Sequence, residues 1–422
     1  MFTLLILADD LTGALDSGVQ FAKNGITTSV FLRPPDQGLP WKQQILPEDA
    51  EVLVINTNTR HSKPEEAQLV IRHCMERYGA IPYKYKKTDS TLRGNIGAEL
   101  AAFMESGGLE RLPFAPAYPD LGRTTRGGIQ FLRDKPIHQT EMAADPLNPV
   151  QESSIPCIIA RQTRIPVTCF SAFPAGGEDG AGIMVFDCES NGEMAAIAAA
   201  LHHRNLLHAS AGCAGFAEAL IRFLPFRRVP FPASSMMRHS PAPLLVISGS
   251  VNPVSLGQVR SAINSGIRAF PLAAEKLCED AWFASAEAGA FVKQCSDALR
   301  LDGICLIGTN RALGTEVQTG QPAPAGVHEE NISGRIGKLV PGILGETSVC
   351  IAVFGGDTLL GIMDALCFDY ILPIREIKPG IVLALARGGT SEMFIVTKSG
   401  AFGGEELIAE IRDSLRCPSF YH

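Results

Sequence analysis

The stretch Thr3-Leu4-Leu5-Ile6-Leu7-Ala8-Asp9-Asp10-Leu11-Thr12-Gly13-Ala14-Leu15-Asp16 decides how the chain is read. A short apolar run stops at two acids and gives way to a helical pattern over residues 12–24, with Gly25 as its stop. No basic segment precedes the run and charge ends it early, so it reads as a buried strand and not as a signal peptide. Working outward, residues 28–32 and 52–57 read as further strands. Pro64 opens a helix to Tyr78, residues 83–87 are strand-like, and residues 95–106 are helical, closed by Gly107 and Gly108. This alternation predicts a mainly parallel sheet with helices on both faces. Residues 109–170 are less regular and rich in short β pieces, after which 182–188 reads as strand and 192–203 and 215–224 as helix.

At 422 residues the chain is too long for one typical core. The proline-rich stretch containing Pro225, Pro230, Pro232, Pro241 and Pro243 marks the boundary, giving domains 1–228 and 242–422. The second domain has its own rhythm: strands at 244–247, 304–307, 349–354 and 393–397, helices at 253–263, 357–367 and 405–414, and a Gly- and Pro-containing loop at 311–330. The fold class is therefore α/β, with two Rossmann-like domains and the active site expected in the cleft between them.

Composition narrows the function. Hydrophobic residues make up 46% and the formal net charge is -7, an ordinary globular balance without the basic face that nucleic acid or a membrane surface requires. No apolar run approaches the ~20 residues that span a bilayer. The eleven cysteines form no Cys-x-x-Cys pair, which fits reduced thiols in a cytoplasmic protein. A homodimer, the commonest oligomer, is the default assembly.

Three segments of the second domain share one design: strand, small-residue turn, helix start. They are Ser248-Gly249-Ser250-Val251-Asn252-Pro253, Gly355-Gly356-Asp357-Thr358, and Lys398-Ser399-Gly400-Ala401-Phe402-Gly403-Gly404. Such turns gather at the carboxyl edge of a parallel sheet, where glycine admits a ligand close to the backbone and helix N-termini favour phosphate. Each glycine also serves a plain tight turn, and Asp357 and Asn252 serve equally as N-caps; the three together point to a nucleotide. Neither Gly-x-x-x-x-Gly-Lys-Ser/Thr nor Gly-x-Gly-x-x-Gly is present, so neither a P-loop enzyme nor a standard dinucleotide enzyme is indicated.

The first domain carries a polar constellation at its strand ends. Asp9 and Asp10 end the first strand; one serves as a helix cap, the other suits holding a hydroxyl or taking a proton. Arg60 ends the next strand, where its planar fork suits a carboxylate. Lys86, Lys87, Thr88, Asp89, Ser90 and Arg93 end another, a mixture that suits an anionic polyol. The Arg123 and Arg126 cluster adds cations, while Asp145 and Asn148 read as ordinary loop residues.

Residues 8–16, 86–95, 122–127 and 355–358, together with Ser248-Gly249-Ser250 and 398–403, resemble the four-carbon acid sugar kinase family over nearly the whole chain. The resemblance implies an N-terminal sugar-acid-binding domain and a C-terminal nucleotide-binding domain. It implies ATP-dependent phosphorylation of the C4 hydroxyl of D-threonate, D-erythronate, L-threonate relatives or 3-oxo-tetronate, with Mg2+ accompanying ATP and its protein ligands open. Carried over by motif, Asp9, Arg60, Lys86, Lys87, Thr88 and Asp89 would contact the acid, with Asp10, Ser90 and Arg93 beside them. Ser250, Gly355, Gly356, Asp357, Thr358 and Gly400 would contact ATP. One departure is Phe354, where the motif usually has Thr. Asp9 or Asp89 would accept the hydroxyl proton, Asp9 being favoured, and Lys86 or Lys87 would offset charge on the transferring group. The rival readings are a nicotinamide oxidoreductase and a non-catalytic sugar-acid sensor.

Overall fold

The computed structural model describes residues 2–34, 50–145, 147–171, 180–229, 243–314, 332, 334–345, 347–400 and 402–416. The proline-rich stretch from 230 to 242 and most of the loop expected at 311–330 lie outside the described residues. The chain divides into two compact units, Met1–Pro230 and Phe231–His422.

In the first unit β1 (Leu4–Ala8) is buried along its whole length, as an unbroken apolar run in a parallel sheet should be. The strands that follow are β2 (Thr28–Phe31), β3 (Val52–Asn56), β4 (Tyr83–Lys87), β5 (Arg111–Ala115), β9 (Val167–Phe170), β10 (Gly182–Phe186) and β11 (Ala209–Gly212). Their order is β2-β3-β1-β4-β11-β5-β10-β9, every pairing parallel. The pieces β6 (Arg123–Arg126), β7 (Ile129–Leu132) and β8 (Lys135–Pro136) form a separate antiparallel ribbon.

Helix α1 (Leu11–Ala22) carries the chain from β1 outward to β2, and α2 (Pro64–Tyr78) carries it from β3 back across β1 to β4. Right-handed crossovers in opposite directions put these helices on opposite faces of the sheet. Accordingly α1 packs with α6 (Ala214–Leu220), which also meets α5 (Asn191–His203), while α2 packs with α3 (Ile96–Gly107), which meets α4 (Ile155–Ala160). The reversal opens a crevice at the carboxyl end of β1. The register sharpens this: Ala8 is level with Asn56 on one side and Lys87 on the other, so Asp9, Thr57 and Thr88 leave the sheet side by side.

The second unit has the order β13-β14-β12-β15-β18-β17-β16. Strands β12 (Leu244–Ser248), β13 (Ala269–Leu272), β14 (Ile304–Thr309), β15 (Cys350–Phe354) and β18 (Ser391–Lys398) are parallel. Residues 368–392, to which the sequence reading assigned no element, hold two strands: β16 (Tyr370–Lys378) and β17 (Ile381–Gly388) form a hairpin across Pro379-Gly380, and β17 runs antiparallel to both neighbours. Helix α7 (Pro253–Asn264) follows β12, α8 (Ala286–Asp302) precedes β14, α9 (Gly356–Ala365) follows β15 and α10 (Leu407–Arg416) follows β18. Ser248, Phe354 and Lys398 are level across β12, β15 and β18, so the three glycine turns begin in one row.

Candidate functional site

Arg60 organises the crevice at β1. It is only 8% exposed, and its guanidinium donates to Asp9 Oδ2 and to Asp10 Oδ2, each at 2.7 Å. Asp89 Oδ1 lies 3.9 Å from the same guanidinium. Asp10 also caps α1, accepting from the Gly13 N–H at 2.9 Å and from Thr12 Oγ1 at 2.6 Å. One acid is thus the cap the sequence required, and the other is free for a different task. Asp9 is 2% exposed, and its Oδ1 has no hydrogen-bond partner among the described residues.

Burial pushes the Asp10 carboxyl up, but the Arg60 guanidinium and the Lys87 ammonium outweigh it and leave it below the ordinary carboxylate value. Asp89 is held well below that value: burial opposes, and Arg93 followed by Arg60 prevails. Arg93 forks onto both Asp89 oxygens at 2.8 and 3.2 Å and reaches Asp145 Oδ2 at 3.0 Å. Asp145, read from sequence as a plain loop residue, is therefore joined to the constellation; only the distant pairing with Arg93 reveals it.

The two lysines at the end of β4 have different surroundings. Lys86 is fully buried, with its ammonium on Glu99 Oε2 at 2.7 Å and on the carbonyls of Lys87 and Leu7. All three of its donors are engaged inside the protein. Lys87 is 4% exposed, and its ammonium makes no hydrogen bond or ion pair among the described residues. It lies over the start of α1: a Cβ at Gly13 would meet Lys87 Nζ at 2.7 Å and Asp10 Oδ1 at 2.4 Å. Glycine there lets cation, carboxylate and helix N-terminus converge. Thr88 is buried and bonds the Gly212 carbonyl through its N–H, while the half-buried Ser90 offers its carbonyl to Gln130. Beneath the site, Glu99 accepts from Lys86 and from Thr59 Oγ1; burial, reinforced by Asp9, leaves its carboxyl above the ordinary value although Lys86 opposes. Sequence reasoning passed over Glu99 because its place in α3 reads as helix surface. Arg123 also belongs here: burial lowers its guanidinium, and Asp89 is the first of the nearby acids that support its charge.

In the second unit Gly355 has φ +125°, open to glycine and strained for other residues. A Cβ there would lie 3.2 Å from Thr358 Oγ1 and 3.7 Å from the Ser250 N–H nitrogen. The missing side chain thus leaves a cradle lined by Ser250, Gly355 and Thr358. Gly356 and Asp357 form the first turn of α9, and Gly400 has φ +40° in the turn after β18. Asn252 caps α7 through the Val254 N–H at 3.0 Å, the plain cap allowed for it. These turns offer backbone N–H groups, and α9 a start with no side-chain cap, of the kind that hold a phosphate chain. Among the described residues no group of three or more His, Cys, Asp or Glu is placed to hold a metal ion. No described helix is long and apolar enough to cross a membrane.

Comparison with known proteins gives this geometry a context. A family model described as a sugar-binding N-terminal domain matches residues 4–220, and one described as a nucleotide-binding C-terminal domain matches residues 245–408. The chain is 28% identical to a D-threonate kinase from Bordetella bronchiseptica, covering 97% of each. It is 27% identical to a D-erythronate kinase from Heliobacterium modesticaldum over 98% of this chain and 97% of the relative. It is 28% identical to a 3-oxo-tetronate kinase from Pseudomonas fluorescens over 96% and 95%. A solved structure from Salmonella typhimurium LT2 superposes with TM-score 0.74 at 20% identity, covering 98% of this chain and 99% of that one. One from Haemophilus influenzae superposes with TM-score 0.70 at 19% identity, covering 97% and 99%; both are likenesses of fold. With family models spanning both units, and a polar crevice in one and glycine turns in the other, the chain belongs to the four-carbon acid sugar kinase family.

Proposed function

We propose that this protein transfers the γ-phosphoryl group of ATP to the C4 hydroxyl of a four-carbon sugar acid, D-threonate or D-erythronate, giving the 4-phosphate and ADP. Residues 1–228 would bind the acid and residues 242–422 the nucleotide. The observation that carries the reading is Asp9 Oδ1: a buried acceptor with no hydrogen-bond partner among the described residues, at the strand end that Arg60 shares with Asp10 and Asp89. Buried polar groups are normally satisfied, so an orphan acceptor in this crevice, which also holds the Lys87 ammonium over the start of α1, matches a ligand with hydroxyls and a carboxylate.

Arg60 fixes Asp9 through the other carboxylate oxygen, leaving Oδ1 directed at the ligand. Asp9 then accepts the C4 hydroxyl proton as that oxygen bonds to the γ-phosphorus and the bond from phosphorus to the β,γ-bridging oxygen breaks. Lys87 and the start of α1 balance the substrate carboxylate. Asp89, locked by Arg93, positions a further hydroxyl, and Lys86, already neutralised by Glu99, supports the floor of the site. Ser250, Gly355, Gly356, Asp357, Thr358 and Gly400 would hold the phosphate chain of ATP. Mg2+ bound together with the nucleotide would supply charge neutralisation there.

The test is ADP release from ATP over a panel of D-threonate, D-erythronate, L-threonate and the 3-oxo acids. Acid-dependent ADP with a 4-phosphate product supports the reading. Tight acid binding without ADP release would identify a sensor and contradict it.

A further inference from the structure

Lys398, the last residue of β18, is a buried lysine of a different kind from Lys86. It is 2% exposed, and its ammonium donates to Ser255 Oγ at 2.8 Å and to the Gly400 carbonyl at 2.5 Å. The Phe354 ring lies 5.2 Å away. Among the described residues no carboxylate pairs with it. A buried cation with only neutral partners bears a desolvation cost that no carboxylate among the described residues offsets. Its place is specific: Lys398 is level with Phe354, which precedes the Gly355 turn, and Ser255 belongs to the helix that follows the Ser250 turn.

The surrounding loop is arranged for an anion. Gln258, one helical turn after Ser255, donates its Nε2 to the carbonyls of Phe402, Gly403 and Gly404 at 2.9, 3.0 and 3.1 Å. Lys398 takes that of Gly400. Three carbonyl oxygens of this loop are thereby drawn onto Gln258 and a fourth onto Lys398. A carbonyl left facing a phosphate chain would repel it.

We propose that Lys398 is the built-in counter-charge of the bound nucleotide, a cation held behind the glycine turns that is balanced when a phosphate chain occupies them. The inference deepens the nucleotide reading above and rests on it. Burial alone lowers the free lysine to about 8. The groups facing it are Ser255 from α7, Phe354 from β15, Ile381 from β17 by register and the Gly400 carbonyl, and none of them titrates near that value. A polyanion beside the ammonium favours its charged form, so nucleotide binding must take up a proton on the alkaline side of that value.

The experiment is calorimetric titration of the full-length protein with MgADP, in two buffers of different ionisation enthalpy, between about pH 7.5 and about pH 9.5. The expected wild-type result is net proton uptake near the upper end and at least about a tenfold fall in affinity across the range. Lys398→Met should abolish the uptake and weaken MgADP binding about tenfold or more at the lower pH, with D-threonate binding unchanged as the control for folding. Lys398→Arg, which keeps the charge and does not titrate, should bind without the pH dependence. Wild-type binding without proton uptake, or Lys398→Met binding as tightly as wild type, would overturn the proposal. Absence of any nucleotide binding by the wild type would instead overturn the nucleotide reading itself, and this inference with it.

Discussion

Replacing Arg60 by Met removes the guanidinium that holds Asp9 and Asp10 at 2.7 Å each and stands 3.9 Å from Asp89. The methionine fills similar volume but leaves three acids crowded at one strand end. Removing one partner of a buried ion pair costs about 3–5 kcal/mol, because the remaining charge keeps its desolvation penalty. The loss should depend on pH, and its sign follows from the carboxyls. Asp10 and Asp89 lie below their ordinary value of 3.8 in the folded protein, with Arg60 among the causes of both shifts. The stability they contribute is present above that value and lost as pH falls through the folded values. The difference between wild type and Arg60→Met should therefore be full at neutral pH and shrink as the solution is acidified from 3.8 down through the folded values. Two units make global unfolding a poor two-state measure, so the assay is hydrogen exchange of the β1 and β3 amides. At neutral pH exchange of the slowest amides should rise by about two to nearly four orders of magnitude, which is what about 3–5 kcal/mol gives. A change below about tenfold, or one that stays constant with pH, would refute the view of Arg60 as the clamp of these carboxylates.

Asp9→Asn keeps the shape of the side chain but not its basicity, and should lower kcat by about 10²–10⁴-fold in single-turnover assays while acid binding persists. Gly355→Ala puts a Cβ at φ +125° and 3.2 Å from Thr358 Oγ1, so KM for ATP should rise with D-threonate affinity unchanged. Glu99→Gln leaves the Lys86 ammonium buried without its counter-ion and should destabilise the first unit by about 3–5 kcal/mol, whereas Lys86→Met with Glu99→Leu should recover most of that in a double-mutant cycle. Lys398 is held at about 8 against an ordinary 10.5, so between these values the unfolded chain binds the extra proton. Stability without nucleotide should then rise with pH across that window, which amide exchange in β15 and β18 would register, and saturating MgADP should flatten the rise.

Much of this architecture is legible in the sequence because local signals agree. The Leu4–Ala8 run, the Asp10 cap and the glycine after α1 each name the same strand-to-helix switch, and Pro64 opens α2 where expected. Strand β11, Ala-Ser-Ala-Gly, carries no β-forming side chain of its own and exists because β4 and β5 flank it. β5 holds Pro113 yet lies inside the sheet; β11 begins to pair only at Phe114, so the missing N–H falls beyond that ladder. The β16–β17 hairpin was hidden by an alanine-rich run whose period is ambiguous between helix and strand. The same contrast holds in the site. Asp9, Asp10, Arg60 and Asp89 lie at strand ends, where position announces a role. Glu99, Asp145 and Gln258 acquire theirs only through partners 13 to 146 residues away. The difference between Lys86 and Lys87 follows from strand alternation, which turns one side chain into the helical layer with Glu99 and the other towards α1.

The most direct test of the account is hydrogen exchange of the intact protein, bound separately to D-threonate and to MgADP. The acid should slow exchange at residues 9–16, 57–60 and 86–93, and the nucleotide at 248–254, 355–358 and 398–400. Protection by the acid at the glycine turns, or by the nucleotide at the Asp9 and Arg60 crevice, would contradict it.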